Sequence, residues 1–387
     1  MEKTIERNRV VCTDWYESEE YMWMCLADRN AICKVEKETG KVHVLGYYPR
    51  DNMTKRLLCN KVVRNGNMLV FVPYCASDIA LLNLESDELF FVSIQTDDSE
   101  KMAERGKFTQ AFVRGDYVYF FGLWYPVIIR LNPFTKEILY LESLKDEVEA
   151  PYVSLGQAVF DEKVIMPIGS EAYFLEFYFC EGKIETKKSI DVEGSFFSMT
   201  KEKNNVWITS GEMARKVLLR WDSCNNVFEQ ISLAEEGLYY EPIIYEKDIY
   251  LFPHCGKSIL RVNIDNKICS ICEELSLTVG RGDWANVMAV KQIGNKVKYV
   301  TGGSRNWYEY DLDSKKLKRY CYEIDDAENE QSWNDCMIEK IKNAKSIIKE
   351  REILLSEYLT FLRTGEDGSY SEENKCGDMV LKVLKGM

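Results

Sequence analysis

Apolar and polar positions alternate in short runs along most of the chain, and the runs recur in a fixed order. Residues 108–141 show it clearly: in "FTQAFVRGDYVYFFGLWYPVIIRLNPFTKEILYL", four β-branched or aromatic runs are separated by "RGD", "LWYP" and "PFTK". Period-two alternation in runs this short, punctuated by turn residues, predicts four strands joined as a meander. The same order recurs from "NKVVRNGNMLVFV" onward, from "EPIIYEKDIYLF" onward and from "ANVMAVKQIGNKVKYV" onward, with three weaker copies elsewhere.

One position of the third run aligns at Lys34, Leu82, Arg130, Glu176, Arg220, Arg261 and Glu309, spaced 41 to 48 residues apart. Units of four strands at that period predict an all-β, seven-bladed β-propeller of four-stranded antiparallel blades over residues 9–330. A single blade cannot bury both of its faces, whereas blades stacked radially bury one another. Helical solenoids are excluded by strand-length runs, and a sandwich would not hold so steady a period. The turns between first and second strands carry Asn-Gly, Gly-Asp, Asn-Asn, Lys-Asp and Gly-Asn, residues that tolerate positive φ.

All seven units read as complete in chain order, so none is left to lend a strand across the closure. Either side-chain packing closes the ring, or the first unit is displaced by one strand. Residues 1–8 precede the repeats. In 331–387, apolar residues at Met337, Ile341, Ala344, Ile348, Leu355, Tyr358 and Leu362 alternate by three and four, broken only at Arg351. That spacing predicts an amphipathic helix capped by Ser332 and stopped near Gly365, then a polar linker and a short helix. Its apolar side packs on the propeller or on a partner.

The last unit, with Gly302-Gly303 before "YEYDLDSKKLKRY", resembles a kelch-type blade. The third unit echoes it with Gly122 alone, and no unit has the Gly-His and Trp-Asp pairs of WD40 blades. The resemblance implies the fold; the superfold hosts binders, scaffolds and enzymes alike.

Composition narrows function mainly by exclusion. Asp and Glu number 63 against 50 Lys and Arg, which disfavours nucleic-acid binding and docking on anionic membranes. The first residues, "MEKTIERNRV", lack the apolar core of a secretory leader, and no apolar run is long enough to span a bilayer. Thirteen cysteines, mostly inside apolar runs, fit reduced thiols and a cytoplasmic setting.

Propellers usually bind ligands on the face built from second-to-third-strand loops and inter-blade connections. Aromatics fall just before the first strands at Phe108, Tyr152, Phe196, Tyr240 and Trp284, either plugging the blade tops or forming a ring for a sugar or a peptide. With their loop neighbours they nominate Tyr74, Trp124, Tyr125, Glu212, Arg215, Tyr240, His254, Trp284 and Arg305 as ligand-binding residues. Of the two histidines, His43 lies in an alternating strand, while His254 lies in a loop and is the candidate for proton transfer. Carboxylate chemistry would need two facing acids, such as Glu171 and Glu212.

Other motifs are weaker. "CGKS" at 255–258 lacks the upstream glycine and following helix of a phosphate loop. Arg114-Gly115-Asp116 and Arg281-Gly282-Asp283 read as turns. Cys269 and Cys272 fall on opposite faces of a strand. No catalytic residue, metal or cofactor is assigned. The residues point first to a non-catalytic propeller binding a protein or peptide partner, second to a carbohydrate-binding or carbohydrate-active one, and third to a purely structural subunit.

Overall fold

The computed structural model describes residues 9–52, 55–95, 106–144, 150–168, 173–188, 194–275, 287–302 and 305–325. Among them seven antiparallel four-stranded units follow one another at 12–46, 59–93, 108–143, 158–188, 196–232, 243–271 and 289–320. These are blades 1 to 7 of a β-propeller. The seven aligned positions all fall in third strands. The helix expected after Ser332 lies outside the described residues.

Burial follows radial position. Second strands are the most enclosed: every residue of Met68–Pro73 is buried. Fourth strands face outward, and Lys316–Tyr320 carries charge along its exposed length, which discourages edge-to-edge pairing. Aromatics fill the gaps between blades. Phe121 of blade 3 meets Phe177 of blade 4 edge-on at 5.4 Å, and Phe174 of blade 4 stacks on Trp221 of blade 5 at 5.3 Å.

Turn chemistry differs in detail from expectation. In blades 5 and 6 the positive φ between first and second strands falls on Lys203 and Glu246, one residue before the Asn-Asn and Lys-Asp pairs. Every third-to-fourth-strand turn also has one positive-φ residue: Gly40, Asp87, Lys136, Gly182, Asn226, Lys267 and Lys315. A side-chain oxygen at the end of the third strand often braces it. Asn132 Oδ1 accepts the Phe134 and Thr135 N–H groups at 2.9 and 3.1 Å, and Asp311 Oδ1 accepts those of Asp313 and Ser314 at 3.1 and 2.7 Å. These are Asx turns, which suit a tight reversal. Blade 6 holds a further departure: Gly237–Tyr239 pairs with Pro253–Gly256 as a small separate sheet, so "PHCG" is strand rather than loop.

The first blade is in register with the expected units, and the ring closes by two means. Side chains of blade 7 reach blade 1: Lys291 Nζ meets Asp14 Oδ1 at 2.9 Å, Lys298 Nζ meets Glu17 Oε2 at 2.9 Å and Arg305 Nη1 meets Asp28 Oδ2 at 2.7 Å. Trp307 packs edge-on against Trp15 at 5.0 Å and donates its indole N–H to Val10 O at 3.0 Å. The chain leaving blade 7 then forms Glu323–Ile324, a parallel fifth strand beside Lys41–Gly46 of blade 1, with Val10 N–H donating to Tyr322 O at 2.9 Å. Packing does most of the closing, and a two-residue strand adds a backbone latch.

Because Trp307 joins the core of blade 1 to that of blade 7, Trp307→Ala should cost about 3–5 kcal/mol. Equilibrium urea unfolding would read this as a lowered midpoint. A midpoint within error of the parent would mean that the seam carries little of the stability.

Candidate functional site

The first strand of each blade borders the axis, and neighbouring first strands are tied by one recurrent contact. Near the start of each, a polar side chain donates to a backbone carbonyl of the next blade or the chain entering it. Thr13 Oγ1 reaches Cys59 O at 2.6 Å, Thr109 Oγ1 reaches Val153 O at 2.8 Å, Ser154 Oγ reaches Phe197 O at 2.6 Å and Ser198 Oγ reaches Tyr239 O at 3.0 Å. Asn60 makes a longer version to Thr109 O at 3.5 Å. Lys291 Nζ completes the circuit to blade 1 by donating to Trp15 O as well as to the Asp14 carboxylate. These bonds give shielded carbonyls at the blade seams a side-chain donor, in two cases beside a second one: Phe197 O also accepts the Leu155 N–H at 2.8 Å and Tyr239 O also accepts Thr209 Oγ1 at 3.1 Å. The sequence reading missed them; their signal is a single Thr, Ser or Asn at the same place in "CTDW", "CNKV", "FTQA", "YVSL" and "FFSM".

At the corresponding place in blade 6 stands Tyr240. Its hydroxyl lies 2.9 Å from Met288 O and 3.2 Å from Val287 O at the entry to blade 7. It also lies 3.0 Å from His254 Nδ1, and the two rings meet edge-on at 5.2 Å. The His254 ring sits 5.3 Å from that of Phe197. His254 reaches this position because it belongs to the extra sheet of blade 6, which carries it inward. Burial lowers its pKa below 6.5, so the imidazole is neutral at pH 7.

These residues edge an axial cavity of about 980 Å³. On the face of the second-to-third-strand loops it is lined by Leu57, Tyr74, Leu123, Leu155, Phe197, Tyr240, His254 and Met288. Deeper, charged residues of both signs stand among apolar ones such as Ile243, Ile244 and Val290. Lys61 Nζ of blade 2 bonds Gln110 Oε1 at 2.9 Å and reaches towards Glu241 Oε1 of blade 6 at 3.8 Å. Asp14 accepts Lys291 and, at 2.8 Å, the Val62 N–H, so one carboxylate links three blades. A recess of about 330 Å³ opens sideways between the first strands of blades 4 and 5, lined by Lys61, Gln157, Lys201 and Glu241 among others. Beside it Gly156 lets the two strands approach closely: a Cβ there would lie 2.2 Å from Met199 O, at φ +72°.

Of the nominated residues, the fold brings Tyr74, Tyr240 and His254 to this cavity. Tyr125 is buried, with its ring 4.9 Å from Phe108 and its hydroxyl donating to Gln95 O. Trp124, Glu212, Arg215 and Arg305 are not among the lining residues. Glu212 and Arg215 converge over Gly194, and Arg305 belongs to the seam of blades 7 and 1. Phe108, Tyr152 and Phe196 are buried between blades. Trp284 and Glu171 lie outside the described residues. Cys255 and Gly256 of "CGKS" sit in a strand. Among the described residues no group of His, Cys, Asp or Glu is placed to hold a metal ion, and no helix is long and apolar enough to cross a membrane.

No family model matches the chain, and no curated protein matches it in sequence. Solved structures do match in shape. Virginiamycin B lyase from Staphylococcus aureus is 11% identical with a TM-score of 0.58, over 75% of this chain and 92% of that one. A chain of the mitotic checkpoint complex is 10% identical with a TM-score of 0.54, over 82% and 87%. BamB from Moraxella catarrhalis is 10% identical with a TM-score of 0.51, over 79% and 84%. At such identities the likeness shows the seven-bladed propeller fold and nothing finer.

Two measurements test this geometry. Gly156→Ala should destabilise by more than about 1 kcal/mol, because both the positive φ and the contact with Met199 oppose a Cβ; a stability unchanged in urea would refute the close approach. For His254, the folded state takes up its proton at lower pH than the unfolded chain. Its neutral form therefore favours folding above pH 6.5, and that advantage is lost as pH falls through the lowered folded value. Comparing unfolding of the parent with His254→Asn at pH 5 and pH 8 should show the parent gaining relative to the variant at the higher pH.

Proposed function

We propose that the chain is a binding propeller that receives a peptide segment of a protein partner at the mouth of the axial cavity. The observation that carries this is the division of the lining: an apolar and aromatic rim of Leu57, Tyr74, Leu123, Leu155, Phe197 and Met288 above an interior where charges of both signs stand among apolar residues. An apolar side chain gains by leaving water at the rim, and backbone or charged groups find partners below. A cavity of about 980 Å³ accommodates a few residues rather than a folded surface. The kelch-like character of the last blade and a reducing, cytoplasmic setting belong to the same reading. The second is supported by the many cysteines buried among apolar neighbours, such as Cys25 and Cys59.

The saccharide reading is less favoured. It used loop aromatics such as Trp124 and Trp284 as a stacking platform and Glu171 with Glu212 as facing acids; Trp124 and Glu212 do not line the cavity, and Trp284 and Glu171 lie outside the described residues. The C-terminal segment remains, under this proposal, a second contact for the same partner.

Peptide display against the full chain tests the reading. Enriched peptides should lose at least about tenfold in affinity, ~1.4 kcal/mol, on Phe197→Ala and Leu123→Ala variants of unchanged circular dichroism. Peptides that bind both variants as well as the parent would place recognition elsewhere.

A further inference from the structure

Tyr240 differs in kind from the other residues of the inner circuit. Thr13, Asn60, Thr109, Ser154 and Ser198 each spend a small polar group on the neighbouring blade, and none of those bonds involves an imidazole. Tyr240 does the same duty with a phenol, and the phenol oxygen faces an imidazole as well. The proton count there is determined. The carbonyls of Met288 and Val287 can only accept, and the single proton between them and the phenol oxygen is that of the hydroxyl. Were that proton turned to His254, the phenol oxygen and Met288 O would face each other at 2.9 Å without one, an unfavourable arrangement of two buried acceptors. The hydroxyl therefore donates to the carbonyl. The proton in the 3.0 Å contact to His254 is then on Nδ1.

A neutral imidazole protonated at Nδ1 has a lone pair at Nε2. Among the described residues no protein group bonds Nε2, and no ion pair reaches the ring. The histidine lines the cavity mouth, between the Phe197 and Tyr240 rings. We propose that His254 is the specificity-determining acceptor of this site: Tyr240 locks it in the Nδ1–H form so that Nε2 takes a hydrogen bond from an N–H or O–H of the ligand. The backbone amide of a peptide is the donor that the reading above supplies, and the proposal rests on that reading for the ligand class. The tautomer itself does not depend on it.

A ligand with only acceptors at this point would set lone pair against lone pair. A neutral donor between the two aromatic walls would be held without the desolvation cost of a full charge. This explains why a histidine is useful here, where a permanently charged residue would reject an amide less selectively.

The experiment is nuclear magnetic resonance of the full chain labelled with ¹⁵N in its two imidazoles, His43→Gln serving to assign the signals. Without ligand at pH 7.5, His254 should show a protonated Nδ1 and an unprotonated Nε2. In Tyr240→Phe, which loses the accepting oxygen, the signals should shift towards the Nε2–H form. An Nε2–H tautomer in the parent would overturn the proposal, whether or not the variant folds. Two probes then test selection: N-acetyl-leucine methylamide and its fully N-methylated counterpart, which has no N–H. The first should move the Nε2 resonance and the second should not. Equal movement with both, or none with either, overturns donor selection. Failure of peptide display with the Nδ1–H tautomer confirmed counts against the peptide reading alone.

Discussion

The structure depends on one repeated constraint: each blade's innermost strand must satisfy the backbone of the next. Where blades meet near the axis, the chain entering a first strand turns its carbonyls into a gap too narrow for bulk water. A buried carbonyl without a donor costs about 1–3 kcal/mol, and the contact recurs from seam to seam, twice doubled by a second donor. Thr13, Asn60, Thr109, Ser154, Ser198, Tyr240 and Lys291 make it one blade at a time. Hydrophobic packing holds the blades together, but it is non-directional. The hydrogen bonds set how far each blade is turned about the axis, and so the width of the cavity.

Closure follows the same rule under a harder condition. The last seam joins residues nearly 300 positions apart, as with Trp307 and Val10, so the entropy of bringing the ends together must be offset locally. The seam is correspondingly richer than the others. Three ion pairs, a tryptophan pair and a parallel latch strand converge there. Several of these charges are largely shielded from solvent and share partners, as Lys298 does with Glu17 and Glu309. Coupling of this kind gives them more weight than isolated surface pairs.

How much of this could be read beforehand depends on how many residues carry each feature. Blade number and strand order rest on dozens of alternating residues repeated at one period, and that redundancy survives the degeneracy of individual units. The latch strand is two residues long and has no pattern to detect. The inner circuit uses one polar residue per unit, chemically unremarkable until the neighbouring carbonyl is placed. The aromatics before the first strands were visible, but the same spacing produced two outcomes: Phe108, Tyr152 and Phe196 turn into the core, while Tyr240 reaches the axis. Sequence alone does not separate these, because rotation of a residue at a strand's entry depends on the connection before it. His254 was legible as a residue of the right face, yet its inward placement comes from a small sheet of three- and four-residue strands that reads as loop.

The site is best understood as the place where the structural duty and the exposed chemistry fall on the same residue. In most other blades a small hydroxyl or amide completes the seam, and several of these residues also line the cavity. In blade 6 a tyrosine completes it from farther away, and its oxygen has capacity left over for a histidine. The seam carbonyls of blade 7 thereby fix which nitrogen of His254 bears the proton. A requirement of the fold is passed through one phenol to the character of the cavity mouth, so altering Tyr240 should change recognition and seam together, whereas altering His254 should leave the seam intact.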